Sequence, residues 1–365
     1  MRRLRIFHVL SSLVVGGMER LTVDLAVTMT RRGHEVRVVT LDGAGPMDAY
    51  ARASAVRVEN VDSRGWRTLV GRSPLSQYLE RERPDIVHSH GGCWARAVAA
   101  AARANVEGRV HTIHGFHERE VAKMLWLDRA SLRLTRATVV VSEELREQCA
   151  RALWTDADRI RFIRNGVPGF PVGKSPMRRS ELGLSGDHLV VIAVGRLVPV
   201  KGLDVLLSAF ALVQKDAPMA RLVLVGEGPE RARLSSQIAS LGLEDVVHML
   251  GQRNDTARLL QMSDIFCLPS RSEGLSISLL EAMAAGLPVV ATGVGATPEV
   301  VTGDVGIVVP PESPVELADA LEALLNDPAR RAAHGSAARE AVALRYSIDR
   351  TADEYCALYE TTLKR

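Results

Sequence analysis

Short apolar runs alternate along this chain with longer stretches in which apolar positions recur every three to four residues. The short runs read as buried strands and the longer stretches as amphipathic helices. In the first half the strand runs are Leu4–Leu10, Glu35–Leu41, Asp85–His88, Arg109–Ile113, Thr138–Val141 and Arg161–Ile163. The second half repeats the rhythm with Leu189–Val194, Ala220–Val225, Val246–Leu250, Ile265–Leu268, Val289–Ala291 and Gly306–Val309. A helical pattern follows the first strand over Met18–Arg32, and another closes the chain from Ser347 to Lys364. Strands that alternate with helices predict an α/β protein built on parallel sheets.

Between Gly166 and Asp187 the periodicity fails. Pro168-Gly-Phe-Pro-Val-Gly-Lys-Ser-Pro176 reads as an interdomain linker. The predicted organisation is a first domain over 1–170, a linker over 171–187, a second domain over 188–346, and a terminal helix over 347–365. A chain of 365 residues suits two domains. No tandem repeat interrupts the pattern.

With 47% hydrophobic and 24% charged residues, the composition is that of an ordinary soluble protein. No apolar run approaches the ~20 residues that a spanning helix needs. Arg2-Arg3 followed by an apolar stretch to Val15 imitates an export signal, but His8, Ser11 and Ser12 break it and no small-x-small cleavage site follows. It reads as the first strand and its loop. Cys93, Cys149, Cys267 and Cys356 are widely spaced and form no paired motif. Reduced, mostly buried thiols in a cytoplasmic protein are expected, with no metal or cofactor.

Net charge is +3 but unevenly spread, with 30 Lys and Arg against 21 Asp and Glu over residues 1–187 and 16 against 22 thereafter. The basic first half suggests an anionic partner, and no nucleic acid is expected. Part of the excess lies on a helical pattern from His117 to Arg136, where Arg119, Lys123, Arg129, Arg133 and Arg136 accompany Met124, Leu125, Trp126, Leu127 and Leu132. Such a helix fits peripheral contact with an anionic membrane and equally fits an ordinary solvated face.

The stretch Pro269–Thr292 carries the densest chemistry. A strand leads into a polar loop containing Glu273, Gly274, Leu275 and Ser276, and then into a helix that carries Glu281 and stops at Gly286-Leu-Pro288. The loop aims at a helix N-terminus, where unpaired N–H groups attract anions. Glu273 and Glu281 add acceptors, which hydroxyl-rich rings require. Arg196 and Lys201, in Val194-Gly-Arg-Leu-Val-Pro-Val-Lys-Gly202, put cations at the strand ends where ligands of open α/β sheets sit. Such cations suit a departing diphosphate. Gly226-Glu-Gly-Pro229 is a glycine turn, but Arg231 takes the place of the third glycine of a dinucleotide fingerprint. Gly16-Gly17 lets a ligand approach the backbone closely.

Two phrases invite metal readings. His111, His114 and His117 are spaced by three, but strand alternation puts His111 and His114 on opposite faces. Asp156-Ala-Asp158 is a short D-x-D sequence beside Arg159, far from the other phrases, and reads as loop and cap chemistry.

The two glutamates and their surroundings, Pro-Ser-x-x-Glu-Gly and Glu-Ala-Met-Ala-x-Gly-x-Pro-Val-Val-Ala, resemble the signature of the retaining GT-B glycosyltransferases of group 1, the GT4 type. The likeness is strong over 188–310 and looser before. It implies two Rossmann-like doubly wound domains facing each other across a cleft, with the C-terminal helix crossing back to the first domain. It also implies transfer of a sugar from a nucleotide diphosphate, UDP- or GDP-linked, to a glycan, lipid-linked, phosphorylated or small-molecule acceptor. By resemblance, Arg196 and Lys201 bind donor phosphates and Gln252-Arg253 lies where the nucleobase is contacted. Glu281 serves the ribose, Glu273 the sugar, and His114, in Thr112-Ile-His-Gly115, lies beside the reactive carbon. Gly226 belongs to a corresponding glycine turn; Glu299 occupies a family-like position without a fixed role. Same-face attack without a metal is the implied course. A nucleotide-sugar epimerase, an NAD enzyme and a noncatalytic scaffold of the same fold are the rival readings.

Overall fold

The computed structural model describes residues 2–65, 69, 71–115, 125–169 and 179–364. The chain forms two compact units, one of Met1–Gly166 with Ser347–Arg365 and the other of Val167–Tyr346.

The first unit holds a seven-stranded sheet in the order β3-β2-β1-β4-β5-β6-β7. Its strands are β1 (Arg5–Leu10), β2 (Glu35–Thr40), β3 (Arg57–Asn60), β4 (Ile86–His90), β5 (Gly108–Ile113), β6 (Ala137–Val140) and β7 (Ile160–Phe162). All pairings are parallel. Helices cover both faces, as the buried apolar residues of parallel strands require. Phe7, Val9, Val39 and Val87 pack against Leu75, Leu79, Ala97 and Ala101 from two of these helices.

The second unit holds six parallel strands in the order β10-β9-β8-β11-β12-β13. These are β8 (Leu189–Val194), β9 (Ala220–Val225), β10 (Val247–Met249), β11 (Ile265–Leu268), β12 (Val289–Thr292) and β13 (Gly306–Val309). Val191, Leu222, Leu224, Ile265 and Cys267 share a core with Leu206, Phe210 and Val213 of the helix Leu203–Asp216.

Three differences from the sequence reading have physical causes. Strand β3 and the helix Asp48–Ala53 were not anticipated. In β3 only Val58 is buried, so an edge strand of that length carries almost no apolar signal. Strand β4 extends through Ser89 to His90, and all five of its residues are buried. Its polar side chains are satisfied by partners on other strands, beyond β5 and on the last helix, which periodicity cannot show. Within the expected linker, residues 170–178 lie outside the described residues. Beyond them, Arg179 donates to the carbonyls of Met262, Gly186 and His188 and to Asp264 Oδ2 at 2.7 Å. That part of the segment is bound into the second unit.

The last helix, Ile348–Thr362, is capped by Ser347, whose hydroxyl accepts from the Arg350 amide. It packs on the helix Gly17–Arg31 and on β5. Arg32 reaches it through ion pairs with Asp349 and Asp353. Its buried face carries two tyrosines into the sheet. Tyr359 Oη lies 2.7 Å from His88 Nδ1, and Tyr355 Oη lies 2.9 Å from Thr112 Oγ1. His88 Nε2 completes the loop at 2.7 Å from Thr112 Oγ1.

A Tyr359→Phe substitution should strand His88 Nδ1 in the core. The expected loss is about 1–3 kcal/mol of stability, the usual cost of an unsatisfied buried polar group. Urea unfolding, with an unchanged slope and a lowered midpoint, is the measurement that checks it.

Candidate active site

Strand β8 sits between β9 and β11, and the chain runs outward from it in both directions. Connections leaving β8 and β11 therefore go to opposite sides, which opens a crevice at their C-terminal ends. Arg196 and Lys201 follow β8; Ser270 to Ser276 follow β11. Both phrases singled out in the sequence of this unit meet here.

The two loops are joined closely. Gly202 has φ of +62°, and a Cβ there would lie 2.0 Å from the Pro269 carbonyl oxygen, so only glycine fits. The Arg271 amide donates to the Val200 carbonyl at 2.8 Å. Lys201 Nζ pairs with Glu273 Oε1, and Ser270 Oγ donates to the same oxygen at 2.6 Å. Thr292, at the end of β12, donates to the Ser270 carbonyl at 2.5 Å, and the Ala296 amide donates to the Gly274 carbonyl at 3.0 Å. Glu273 is thus fixed from three loops, with 10% of its side chain exposed. On the other flank, Gly226 has φ of +145° and a Cβ there would lie 1.8 Å from the Gly195 carbonyl oxygen. The glycine turn is packed against the loop carrying Arg196 by a hydrogen bond from the Leu197 amide to the Glu227 carbonyl.

Gly274 and Leu275 lead into Ser276, which caps the helix Ile277–Ala285 by accepting from the Leu279 amide. Glu281 lies in that helix, half-buried. Among the described residues, the exposed Arg196 guanidinium has neither an ion pair nor a hydrogen-bond partner. The cation balance is therefore one engaged lysine and one arginine available to an anion.

Other predicted positions are differently placed. Arg253 closes on Asp255 through two bonds of 2.8 and 2.7 Å, and Gln252 is exposed. Arg231, in place of the third glycine, pairs with Glu227 at 2.6 Å. Glu299 is exposed in the first turn of Thr297–Val300. Asp156 precedes a short turn at the start of β7, the sheet end away from the strand C-termini. Its side chain makes no cap bond and pairs loosely with Arg159 at 3.7 Å, so the expected capping is not formed.

Two contributors were missed in the sequence. Ser270 holds Glu273, and Arg271 braces the loop from behind through paired bonds of 2.8 and 3.0 Å to Asp204, plus a contact with Glu312. Those bonds hold the Asp204 carboxyl below its usual range. Both residues sit inside the quoted phrase; what was invisible was which partner each would find.

In the first unit, Gly16 is the extended residue before the helix Gly17–Arg31. His114 lies just beyond β5 with part of its surface open. His111 is on the opposite face, stacked on Trp94 at 4.3 Å between centroids and 2.8 Å from Ser89 Oγ. The two do not share a metal site, and His117 lies outside the described residues. A different set gathers instead: His8, His88 and His90, with nitrogens within 4.8 Å of one another. The signal was available, since His88-x-His90 puts two imidazoles on one strand face.

Of the predicted basic helix, Leu125–Leu134 is formed and 117–124 lies outside the described residues. Arg129 is spent on the Ala152 carbonyl at 2.8 Å and on the ring of Trp154 at 3.3 Å, while Trp126 is 70% exposed. Among the described residues no helix is long and apolar enough to cross a membrane.

Residues 175–341 match "Glycosyl transferases group 1" and residues 15–168 match "Glycosyltransferase Family 4". A GDP-mannose-dependent alpha-(1-6)-phosphatidylinositol monomannoside mannosyltransferase of Mycobacterium tuberculosis is 31% identical over 84% of each chain. The chain belongs to the group 1, family 4 glycosyltransferases. This glycosyltransferase is also 27% identical to the N-acetyl-alpha-D-glucosaminyl L-malate synthase of Bacillus anthracis, over 96% of its own length and 95% of the relative's. Its backbone matches that of HepE from Anabaena, solved with UDP-glucose, at a TM-score of 0.84 and 22% identity over 98% of this chain and all of the other. The fold is therefore two-domain GT-B.

The imidazole cluster has a consequence for acid stability. Burial pushes His8 down to about 3 and His114 down to about 4, and it also lowers His88 and His90. The unfolded chain binds protons first, near pH 6.5. Stability should therefore be full above that pH and fall as pH drops toward 3–4. Urea midpoints at pH 7.5 and 5 should differ more in the wild type than in His8→Phe.

Proposed function

We propose that this protein is a retaining glycosyltransferase that takes its sugar from a nucleoside diphosphate sugar, without a metal or other cofactor, and delivers it to an anionic acceptor. The observation that carries the donor assignment is the joining of Lys201, Ser270 and Glu273 at the switch point of the second unit. In the reading, Arg196 meets the diphosphate first and Lys201 shifts onto it from Glu273. Glu273 is released to accept from sugar hydroxyls, and Glu281 accepts from the ribose. The helix N-terminus at Gly274–Ser276 adds backbone donors. Gly226, Gln252 and Arg253 line the nucleoside side, with Arg253 acting only after leaving Asp255.

As the glycosidic bond breaks, the bonding pair goes to the diphosphate oxygen. The acceptor oxygen forms its bond to the same carbon from the same face, and its proton passes to the leaving phosphate. The family likeness supports retention. The cations stabilise charge that grows in the transition state, so they act on rate more than on ground-state binding.

The anionic acceptor is supported by two observations. The first 187 residues hold the excess of basic over acidic groups. The acceptors in the printed names of two relatives, L-malate and a phosphatidylinositol mannoside, are both anions. The first unit, with Gly16, Gly17 and His114, is assigned to this partner. A free anion and a lipid headgroup on the cytoplasmic membrane face share that chemistry.

Assays with UDP-, GDP- and ADP-sugars should show slow donor hydrolysis for one of them, undiminished by EDTA. Loss with chelator and recovery with manganese would refute metal independence. Arg196→Ala should lower kcat by on the order of 10²-fold with a smaller change in donor KM; a change confined to KM would remove its role in the chemical step. Raising salt should raise the acceptor KM, because screening weakens attraction between exposed charges. Equal use of neutral acceptors would overturn the anionic assignment.

A further inference from the structure

Three imidazoles run diagonally across adjacent strands of the first unit. His8 stands on β1, His90 on β4, and His114 just past β5. The register sets His8 beside His88 and His90 beside Thr112, so the diagonal steps two residues forward at each strand while staying on one face. His8 Nδ1 lies 3.0 Å from His90 Nε2, and His90 Nδ1 lies 3.0 Å from His114 Nε2. His8 and His90 are almost wholly buried, whereas His114 keeps an open edge. At the inner end, His8 Nε2 is buried without a partner.

Among the described residues, the groups set against this chain are neutral. His88 lies against His90 with ring centroids 4.1 Å apart, and its own nitrogens are taken by Tyr359 and Thr112. Tyr355 lies tilted against His88 from the terminal helix, with ring centroids 4.9 Å apart. Among the described residues no carboxylate acts on the chain, and burial disfavours charge on each ring. A metal at His8, His88 and His90 would have to break the hydrogen bonds that already occupy both nitrogens of His88 and of His90.

A neutral imidazole has one donor and one acceptor nitrogen. Two bonds between three neutral rings therefore allow only two arrangements. In one, every N–H points toward His114, and the inner end is an unused lone pair on His8 Nε2. In the other, every N–H points inward, and the inner end is a buried N–H with no acceptor. Buried N–H groups without acceptors are the rarer defect. The first arrangement puts hydrogen on His8 Nδ1, His90 Nδ1 and His114 Nδ1.

We propose that His90, backed by the buried His8, is a positioning residue that holds His114 as a neutral Nδ1–H hydrogen-bond donor and prevents it from acting as a base. His114 Nε2 is occupied by the hydrogen from His90, so His114 cannot take a proton without breaking that bond. Reversing the chain requires a proton at His8 Nε2, which is sealed from solvent. The ring therefore offers one fixed donor to an oxygen of the acceptor assigned to the first unit, and the acceptor's proton goes elsewhere. The inference rests on the placement of His114 in the reaction proposed above, but the tautomer is measurable without any reaction.

The test is two-bond 15N–1H NMR on protein labelled with 15N-histidine, with His114 assigned by the peak lost in His114→Gln. Wild type should show His114 as the neutral Nδ1–H form from pH 8 to pH 5. In His90→Leu the Nε2–H form should dominate and titrate at higher pH. His90→Asn, whose amide can donate from the place of Nδ1, should restore the Nδ1–H form. His8→Phe, which moves the unpartnered buried end to His90 Nε2, keeps the same preference for a lone pair there, so the Nδ1–H form should persist. An Nε2–H form in the wild type, or a tautomer indifferent to His90→Leu, would overturn the proposal. So would a stoichiometric divalent ion, found by elemental analysis, whose removal alters the His8, His88 and His90 signals. If His114→Gln retains full activity while the tautomer is as stated, the role of His114 in the reaction fails and the positioning chain stands.

Discussion

The pairing of Lys201 with Glu273 is the constraint on which the second unit's crevice depends. It ties the loop after β8 to the loop after β11 at the point where strand order reverses. A mostly buried carboxylate is costly unless it is paired and hydrogen-bonded, and Ser270 supplies the second bond. The arrangement also stores the site's chemistry in a compensated form. Without a ligand, the lysine's charge is balanced by Glu273. In the proposed reaction an incoming diphosphate competes for the lysine, and the carboxylate it displaces becomes an acceptor for hydroxyls. On that proposal, one contact prepares two ligand interactions of opposite sign. The support is rigid: Gly202 lies against the Pro269 backbone, and Arg271 clamps the loop to Asp204.

The first unit is organised around a different polar device, buried in the sheet rather than placed on its rim. His88 is held by Tyr359 and Thr112, and it lies against His90, which joins His8 and His114. The terminal helix supplies the tyrosines, so its docking fixes His88, and the hydrogen-bonded imidazoles pack against that ring. This makes that helix part of the floor beneath His114 as well as a cover for the sheet.

Much of this was legible in the sequence because parallel strands buried on both faces are written as continuous apolar runs. Leu189–Val194, Ala220–Val225, Ile265–Leu268 and Gly306–Val309 are observed at those bounds. What escaped was structure whose signal is not apolar. β3 has one buried residue, and the end of β4 is His88-Ser89-His90. At the site, Glu273 and Lys201 could be named from their phrases, but their contact could not, because 72 positions separate them and only the strand order brings them together. Arg253 shows the converse: its position was readable, while Asp255, two residues on, holds its guanidinium.

The most direct test of the central claim is amide hydrogen exchange with and without a saturating nucleotide sugar, chosen from UDP-, GDP- and ADP-sugars by its thermal shift. The account predicts new protection in 195–202, 226–228 and 270–278, the loops around Lys201 and Glu273. Protection confined to other segments, or no stabilisation by any nucleotide sugar, would contradict it.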